Sequence, residues 1–159
     1  MPIFPILATR RAWLALSALL ALTAGCGGGS DSLPTAPSIP PPLGIPYSQT
    51  DLRVGTGPAA ATGNDLVVHY AGWLYSTTAA DQKGTLFDTS VAPGRGPFPF
   101  RLGARQVIAG WEQGIVGMQV GGVRRLVLPP ELGYGTQGNP PSIPPNATLI
   151  FEVELLQIQ

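Results

Sequence analysis

The last apolar run of the sequence, Ala147-Thr148-Leu149-Ile150-Phe151-Glu152-Val153-Glu154-Leu155-Leu156-Gln157-Ile158, decides the fold. Leu149, Phe151, Val153 and Leu155 fall on one face, while Glu152 and Glu154 fall on the other. That period of two marks a half-buried strand. Working outward, Val123 to Leu128 is a second segment that reads as a strand, stopped at Pro129-Pro130. Leu66 to Tyr75 is rich in β-branched and aromatic residues and follows the turn-forming Gly63-Asn64-Asp65. Phe98 to Leu102 alternates too, with Pro99 demoting it to an edge or a bulge. One helix is expected, Gln106 to Met118, where Val107, Ile108, Trp111, Ile115 and Met118 form a single apolar stripe. Gly110, Gly114 and Gly117 each lower its intrinsic stability by about 1 kcal/mol relative to alanine. Such a helix needs a sheet around it. The expected class is therefore α+β, an antiparallel half-barrel sheet wrapped around one short helix.

Composition by itself is ambiguous. Of 159 residues, 21 are glycine and 18 proline, a share at which disordered sequence becomes a serious reading. Hydrophobic content of 44% and a mean hydropathy of +0.21 argue against full disorder. Nine basic and nine acidic side chains leave no net charge, so no electrostatic footprint for nucleic acid exists. The length comfortably supports one folded domain.

The N-terminal 46 residues read as an address and a spacer. Arg10 and Arg11 precede an apolar run from Trp13 to Leu22, too short to span a bilayer but suited to a secretory signal over residues 1–25. The run leads into Leu22-Thr23-Ala24-Gly25-Cys26, which holds the chain's one cysteine and resembles the lipobox of bacterial lipoproteins. It departs from that pattern in having Thr23, not leucine, three residues before the cysteine. Acylation at Cys26 is the expected outcome, and ordinary cleavage near Ala24, leaving a free thiol, is the alternative. Loss of the leader would leave seven basic and nine acidic side chains, so attachment to a membrane would come from the lipid and not from charge. Residues 26–46 then form a Gly/Ser-rich, proline-rich linker with no apolar periodicity. The folded domain is expected from 47 to 159.

Individual chemical motifs give little. Gly133 to Gly138 spells GxGxxG, but Pro129-Pro130 precede it and Asn139-Pro140-Pro141 follow, so no helix can start there to hold a dinucleotide. His69 is the sole histidine, which rules out most metal sites, and no nucleophile elbow is present. Asp88 alone would be taken for a turn residue. Many aromatics with few polar groups suit an apolar pocket better than covalent or acid–base catalysis.

Seven stretches carry a more specific message when taken in order. They are Val67 to Gly72, Phe87 to Ser90, Pro97 to Gly103, Gln106 to Glu112, Gly133 to Gly135, Ile143 to Leu149 and Phe151 to Leu155. Together they resemble the FK506-binding-protein (FKBP) type of peptidyl-prolyl cis–trans isomerase, from about residue 50 to the C-terminus. That resemblance implies a sheet wrapped around a short helix. It also implies a pocket walled by Tyr70, Phe87, Phe98, Val107, Ile108, Tyr134, Ile143 and Phe151, with Trp111 as the floor. Asp88 would be the polar group at the pocket edge, and Arg95 a candidate partner for it. The backbone N–H of Ile108 and the hydroxyl of Tyr134 would donate to ligand carbonyls.

The resemblance further implies no cofactor and no metal. Its implied partners are proline-containing peptides and folding proteins, with FK506- or rapamycin-like macrolides as inhibitors. A chain without the helical dimerisation domain of some exported relatives is expected to be a monomer in the bacterial cell envelope. Two departures stand out. The loop through residues 76–86 is longer than in small members, and Asn139 and Ser142 differ from common choices. Both are expected at the pocket rim, where they would bear on substrate preference and inhibitor affinity. A non-catalytic binding module on the same fold is the competing function, favoured if the long loop covers Phe98. A structural surface lipoprotein is a third reading, which leaves the pocket residues without a purpose.

Overall fold

The computed structural model describes residues 44–159; the expected leader, Cys26 and nearly all of the linker lie outside the described residues. Among the described residues, six strands form one antiparallel, unclosed sheet: β1 (Ser48–Arg53), β2 (Asp65–Tyr75), β3 (Lys83–Thr89), β4 (Phe98–Arg101), β5 (Val123–Leu128) and β6 (Leu149–Ile158). The order is β1-β5-β6-β2-β3. The outer edge of β2 is divided, with β4 pairing along Asp65–Val68 and β3 along Ala71–Tyr75. Pro99 costs the sheet little, because β4 pairs with β2 and, among the described residues, no strand on its other side needs an N–H from it.

The alternation in β6 is seen directly. Leu149, Val153 and Leu155 are fully buried and Phe151 nearly so. They share that face with Leu66 and Val68 of β2 and Leu126 and Leu128 of β5, as the registers require. Helix α1 (Ala109–Gly114) lies against this face and adds Trp111 to the core, with Ile115 and Met118 buried just beyond its end. Each large side chain taken fully out of water contributes about 1.5–3 kcal/mol.

The helix is six residues long, not the thirteen expected from Gln106 to Met118. Ile108 is extended, with φ −61° and ψ 152°, so the helix cannot start before Ala109. Gly117, at φ +77°, ends any continuation in the left-handed region. Val107 and Ile108 are therefore not part of a helical stripe.

Arg124 ties the elements together. It is 7% exposed and points to the helix side of β5. Its guanidinium donates to both carboxylate oxygens of Asp51 on β1, at 2.6 and 3.0 Å, and to the carbonyls of Gly114 at 2.9 Å and Val116 at 3.2 Å. A cation thus satisfies the carbonyls left open at the helix C-terminus.

Two expectations are corrected here. Lys83 to Leu86 belong to β3, so the connection after β2 is residues 76–82 and not 76–86. Nor does this connection reach the pocket rim. The Asp81 carbonyl accepts from Arg125 at 3.3 Å, and Lys83 reaches Glu152 at 2.7 Å while lying over the Trp73 ring. Arg125, Glu152 and Trp73 all sit on the face of the sheet away from the helix, by the same alternation that buries Leu126, Phe151 and Gly72 on the other. Asp88, which taken alone reads as a turn residue, is in β3 opposite Gly72.

Candidate active site

Between the helix and the concave face of the sheet is a pocket of about 400 Å³. Trp111 is at its centre of contacts. Its ring meets Tyr70 at 5.3 Å and 78°, Phe151 at 5.3 Å and 87°, and Phe98 at 6.4 Å and 80°. Phe87 in turn stands edge-on to Phe151 at 5.5 Å. Edge-to-face pairs at these distances match the ring quadrupoles and hold the walls in one arrangement. Phe98 remains 37% exposed, which leaves apolar surface at the mouth for a ligand.

Glycine makes the approach of these rings possible. A Cβ on Gly72 would stand 2.7 Å from ring carbons of both Phe87 and Phe151. Alternation along β2 puts Tyr70 on the same face as Leu66, Val68 and Gly72, and at the divided outer edge Ser90 pairs with its backbone. The Tyr70 N–H donates to Ser90 Oγ at 2.9 Å, and the Ser90 N–H donates to the Tyr70 carbonyl at 3.0 Å. His69, one residue earlier, points the other way, and its Nδ1 lies 2.9 Å from the same Ser90 Oγ.

The polar groups divide into occupied and open ones. The Tyr70 hydroxyl donates to Asp88 Oδ2 at 2.6 Å, and Arg95 Nη1 donates to Asp88 Oδ1. Both oxygens of Asp88 are thus engaged, which makes it a poor base or nucleophile. Burial, reinforced by the hydrogen bond to Asp88, pushes the Tyr70 hydroxyl up to about 12. Burial also raises Tyr134, with the negative charge of Asp88 adding to it. Both hydroxyls therefore stay protonated throughout the neutral range. By contrast, the Ile108 N–H and the Tyr134 hydroxyl have no hydrogen-bond partner among the described residues. The Trp111 indole N–H is buried and likewise unpartnered. The site offers donors and aromatic walls, and no activated nucleophile.

Residues 57–156 match the family model described as FKBP-type peptidyl-prolyl cis-trans isomerase. The chain belongs to this family. FK506-binding protein 4 of Dictyostelium discoideum is 48% identical over 123 residues, which are 77% of this chain and 30% of that one. The FKBP chain spans far less than two thirds of that relative. It spans 92% of the FK506-binding protein of Neisseria meningitidis serogroup A, at 48% identity over 68% of its own length. Among solved structures, that of AtFKBP13 superposes with a TM-score of 0.61 at 36% identity, covering 71% of this chain and 93% of the other. The antiparallel sheet with one short helix is thus the FKBP fold.

The FKBP pocket gathers most of the residues expected of it. Tyr70, Phe87, Asp88, Phe98, Val107, Ile108, Trp111, Tyr134 and Phe151 all line it. Ile143 does not: it is 2% exposed, exchanges backbone hydrogen bonds with Asn139, and belongs to the core. Neither Asn139 nor Ser142 lines the pocket. Arg105 and Gln106 do, and neither is among the residues the sequence places in the pocket. They precede Val107 and the extended Ile108, which a helical reading places on a buried stripe. Ser90 was also missed as the residue that positions Tyr70, because a buried serine bonded to backbone has no local sequence signature.

Proposed function

We propose that the protein accelerates cis–trans rotation about Xaa-Pro bonds in exported proteins, and that an acyl chain on Cys26 holds it at the bacterial cell envelope. The observation that carries the isomerase reading is the pairing of an aromatic pocket with two open donors, the Ile108 N–H and the Tyr134 hydroxyl, beside an Asp88 whose oxygens are both engaged.

Rotation about an amide crosses a barrier of about 18–20 kcal/mol because the twist destroys resonance. No covalent bond to the protein is required. A twisted amide has less charge separation than a planar one, so walls of Tyr70, Phe87, Phe98, Val107 and Phe151 over Trp111 favour it relative to water. The Ile108 N–H and the Tyr134 hydroxyl receive the flanking carbonyls and hold the peptide in a turn-like path. Asp88 acts through Tyr70 and Arg95, fixing the edge of the pocket. A thousandfold to millionfold acceleration would draw on roughly 4–8 kcal/mol from these effects together. Uncatalysed isomerisation takes tens to hundreds of seconds and can limit folding, so proteins folding outside the cytoplasm are suitable clients.

Relatives named for FK506 support the same pocket as a site for FK506- or rapamycin-like macrolides. A non-catalytic binding module would be favoured by a loop over Phe98. Residues 76–82 are instead held on the opposite face of the sheet by Arg125, and no observation favours that reading. The test is cis-to-trans isomerisation of a short Xaa-Pro peptide by the purified protein. A folded protein that leaves the peptide at its uncatalysed rate would overturn the enzyme reading.

A further inference from the structure

Among the described residues, every cation but one has a carboxylate within ion-pair distance. Arg53, Arg95, Arg101, Arg124, Arg125 and Lys83 are all paired. Arg105 is the exception, with no ion pair and no side-chain hydrogen bond among the described residues, and it is exposed. It lines the aromatic pocket and also a second cavity beside it, together with Val107, Ala109, Glu112 and Gln113. Arg105 therefore stands where the two cavities meet. Its backbone is in the left-handed region, at φ +57°, a conformation that costs a non-glycine residue and sets where its side chain leaves the chain.

Resting on the isomerase reading, we infer that Arg105 is a specificity determinant, selecting client segments that carry a carboxylate side chain within about three residues of the isomerised proline. An extended chain rises about 3.3 Å per residue, so a segment leaving the aromatic pocket crosses the neighbouring cavity within that distance. The other charges near this junction leave Arg105 uncompensated. Asp88 is neutralised by Arg95. Glu112 shares the second cavity, but its Oε2 accepts from the Gly103 N–H at 2.6 Å, its Oε1 is buried without a hydrogen-bond partner, and it makes no ion pair with Arg105 among the described residues. The Glu112 carboxylate is thus turned inward, while Arg105 faces the segment. Val107 and Ala109 supply an apolar shelf for the methylenes of a glutamate.

The test uses a set of Xaa-Pro peptides with Glu, Gln or Lys placed singly at each of the three positions on either side of the Xaa-Pro pair. At one or more positions Glu should exceed Lys in kcat/KM by about two- to fivefold at low salt, the scale of an exposed ion pair. The preference should appear in KM and shrink toward unity on going from about 0.01 M to about 1 M salt, where the Debye length falls from roughly 30 Å to 3 Å. Arg105→Asp should invert the preference and Arg105→Asn abolish it. Asp and Asn both tolerate the left-handed backbone, so these variants change the charge without disturbing the turn. Equal rates for Glu and Lys peptides at every position, or a preference unchanged in both variants, would overturn the inference while leaving the isomerase reading intact. If no peptide is accelerated, the isomerase reading fails instead. Peptide affinities from Trp fluorescence then decide the charge preference by the same comparison.

Discussion

Phe151 shows how much one residue does here. It is the β6 side chain that reaches Trp111 at 5.3 Å and Phe87 at 5.5 Å, both edge-on, and it is 3% exposed. Phe151→Ala removes two ring contacts of about 0.5–1.5 kcal/mol each and lets the pocket wall collapse or flood. We expect kcat/KM on a prolyl peptide to fall by about five- to a hundredfold, with a stability loss of about 3–5 kcal/mol. Phe151→Leu keeps much of the apolar volume and should recover most of the stability but not the activity, separating the two effects by denaturant titration and peptide assay. Tyr70 makes a different prediction, about alkaline stability. Its folded hydroxyl titrates near 12 against an ordinary value of 10.0, so between those values the folded state binds more protons than the unfolded one. Stability therefore declines as pH rises from about 10 to 12. Tyr70→Phe should flatten that part of the curve, and a variant whose unfolding free energy follows the wild-type slope there would contradict the assignment.

At the scale of elements, the helix glycines tell against propensity. Replacing Gly110 with alanine gains about 1 kcal/mol of intrinsic helix stability. Yet a Cβ on Gly110 would stand 2.7 Å from Leu128 Cδ1, and one on Gly114 the same distance from Leu126 Cδ2. The helix lies so close to β5 that packing outweighs propensity, and overpacking costs about 1–3 kcal/mol. Gly110→Ala should lower the midpoint of thermal unfolding, whereas an alanine at an exposed helix site would raise it. The same rule explains what was legible in the sequence. β6 and β2 could be read because one face is buried and the other wet. β1 could not, because all six residues from Ser48 to Arg53 are exposed and it is held by its backbone ladder with β5 and by Arg124 bonding Asp51, a contact 73 positions apart in sequence. β3 was obscured by Gly84 and by Asp88, whose partners Tyr70 and Arg95 are likewise tertiary. The aromatic walls were legible through family resemblance. Arg105 was not, since its meaning depends on two cavities meeting beside it and on every other cation being paired.

For the whole molecule, position resolves what composition left open. Many glycines of the domain mark close approaches and turns, while the Gly/Ser and proline run before Tyr47 has the composition of a spacer. If the domain carries the chemistry and Cys26 the attachment, the two should separate cleanly by mutation. Cys26→Ser leaves untouched every residue of the pocket, all of which lie beyond residue 69. It removes the one thiol to which a lipid could be joined. Without the lipid, nothing in the charge balance after cleavage favours an anionic membrane surface. We therefore expect the wild-type protein, expressed in a bacterial host, to partition with membranes and to incorporate labelled fatty acid. The Cys26→Ser protein should appear in the soluble fraction, unlabelled, with kcat/KM on a prolyl peptide within about twofold of the wild type. Label attached to the serine variant would place the acyl group elsewhere. A wild-type protein that is soluble and unlabelled would mean that the Thr23 departure defeats the lipobox and that Cys26 is left as a free thiol. A soluble variant that had also lost activity would mean that the tether and the pocket are coupled, against the independence that the placement of the pocket residues implies.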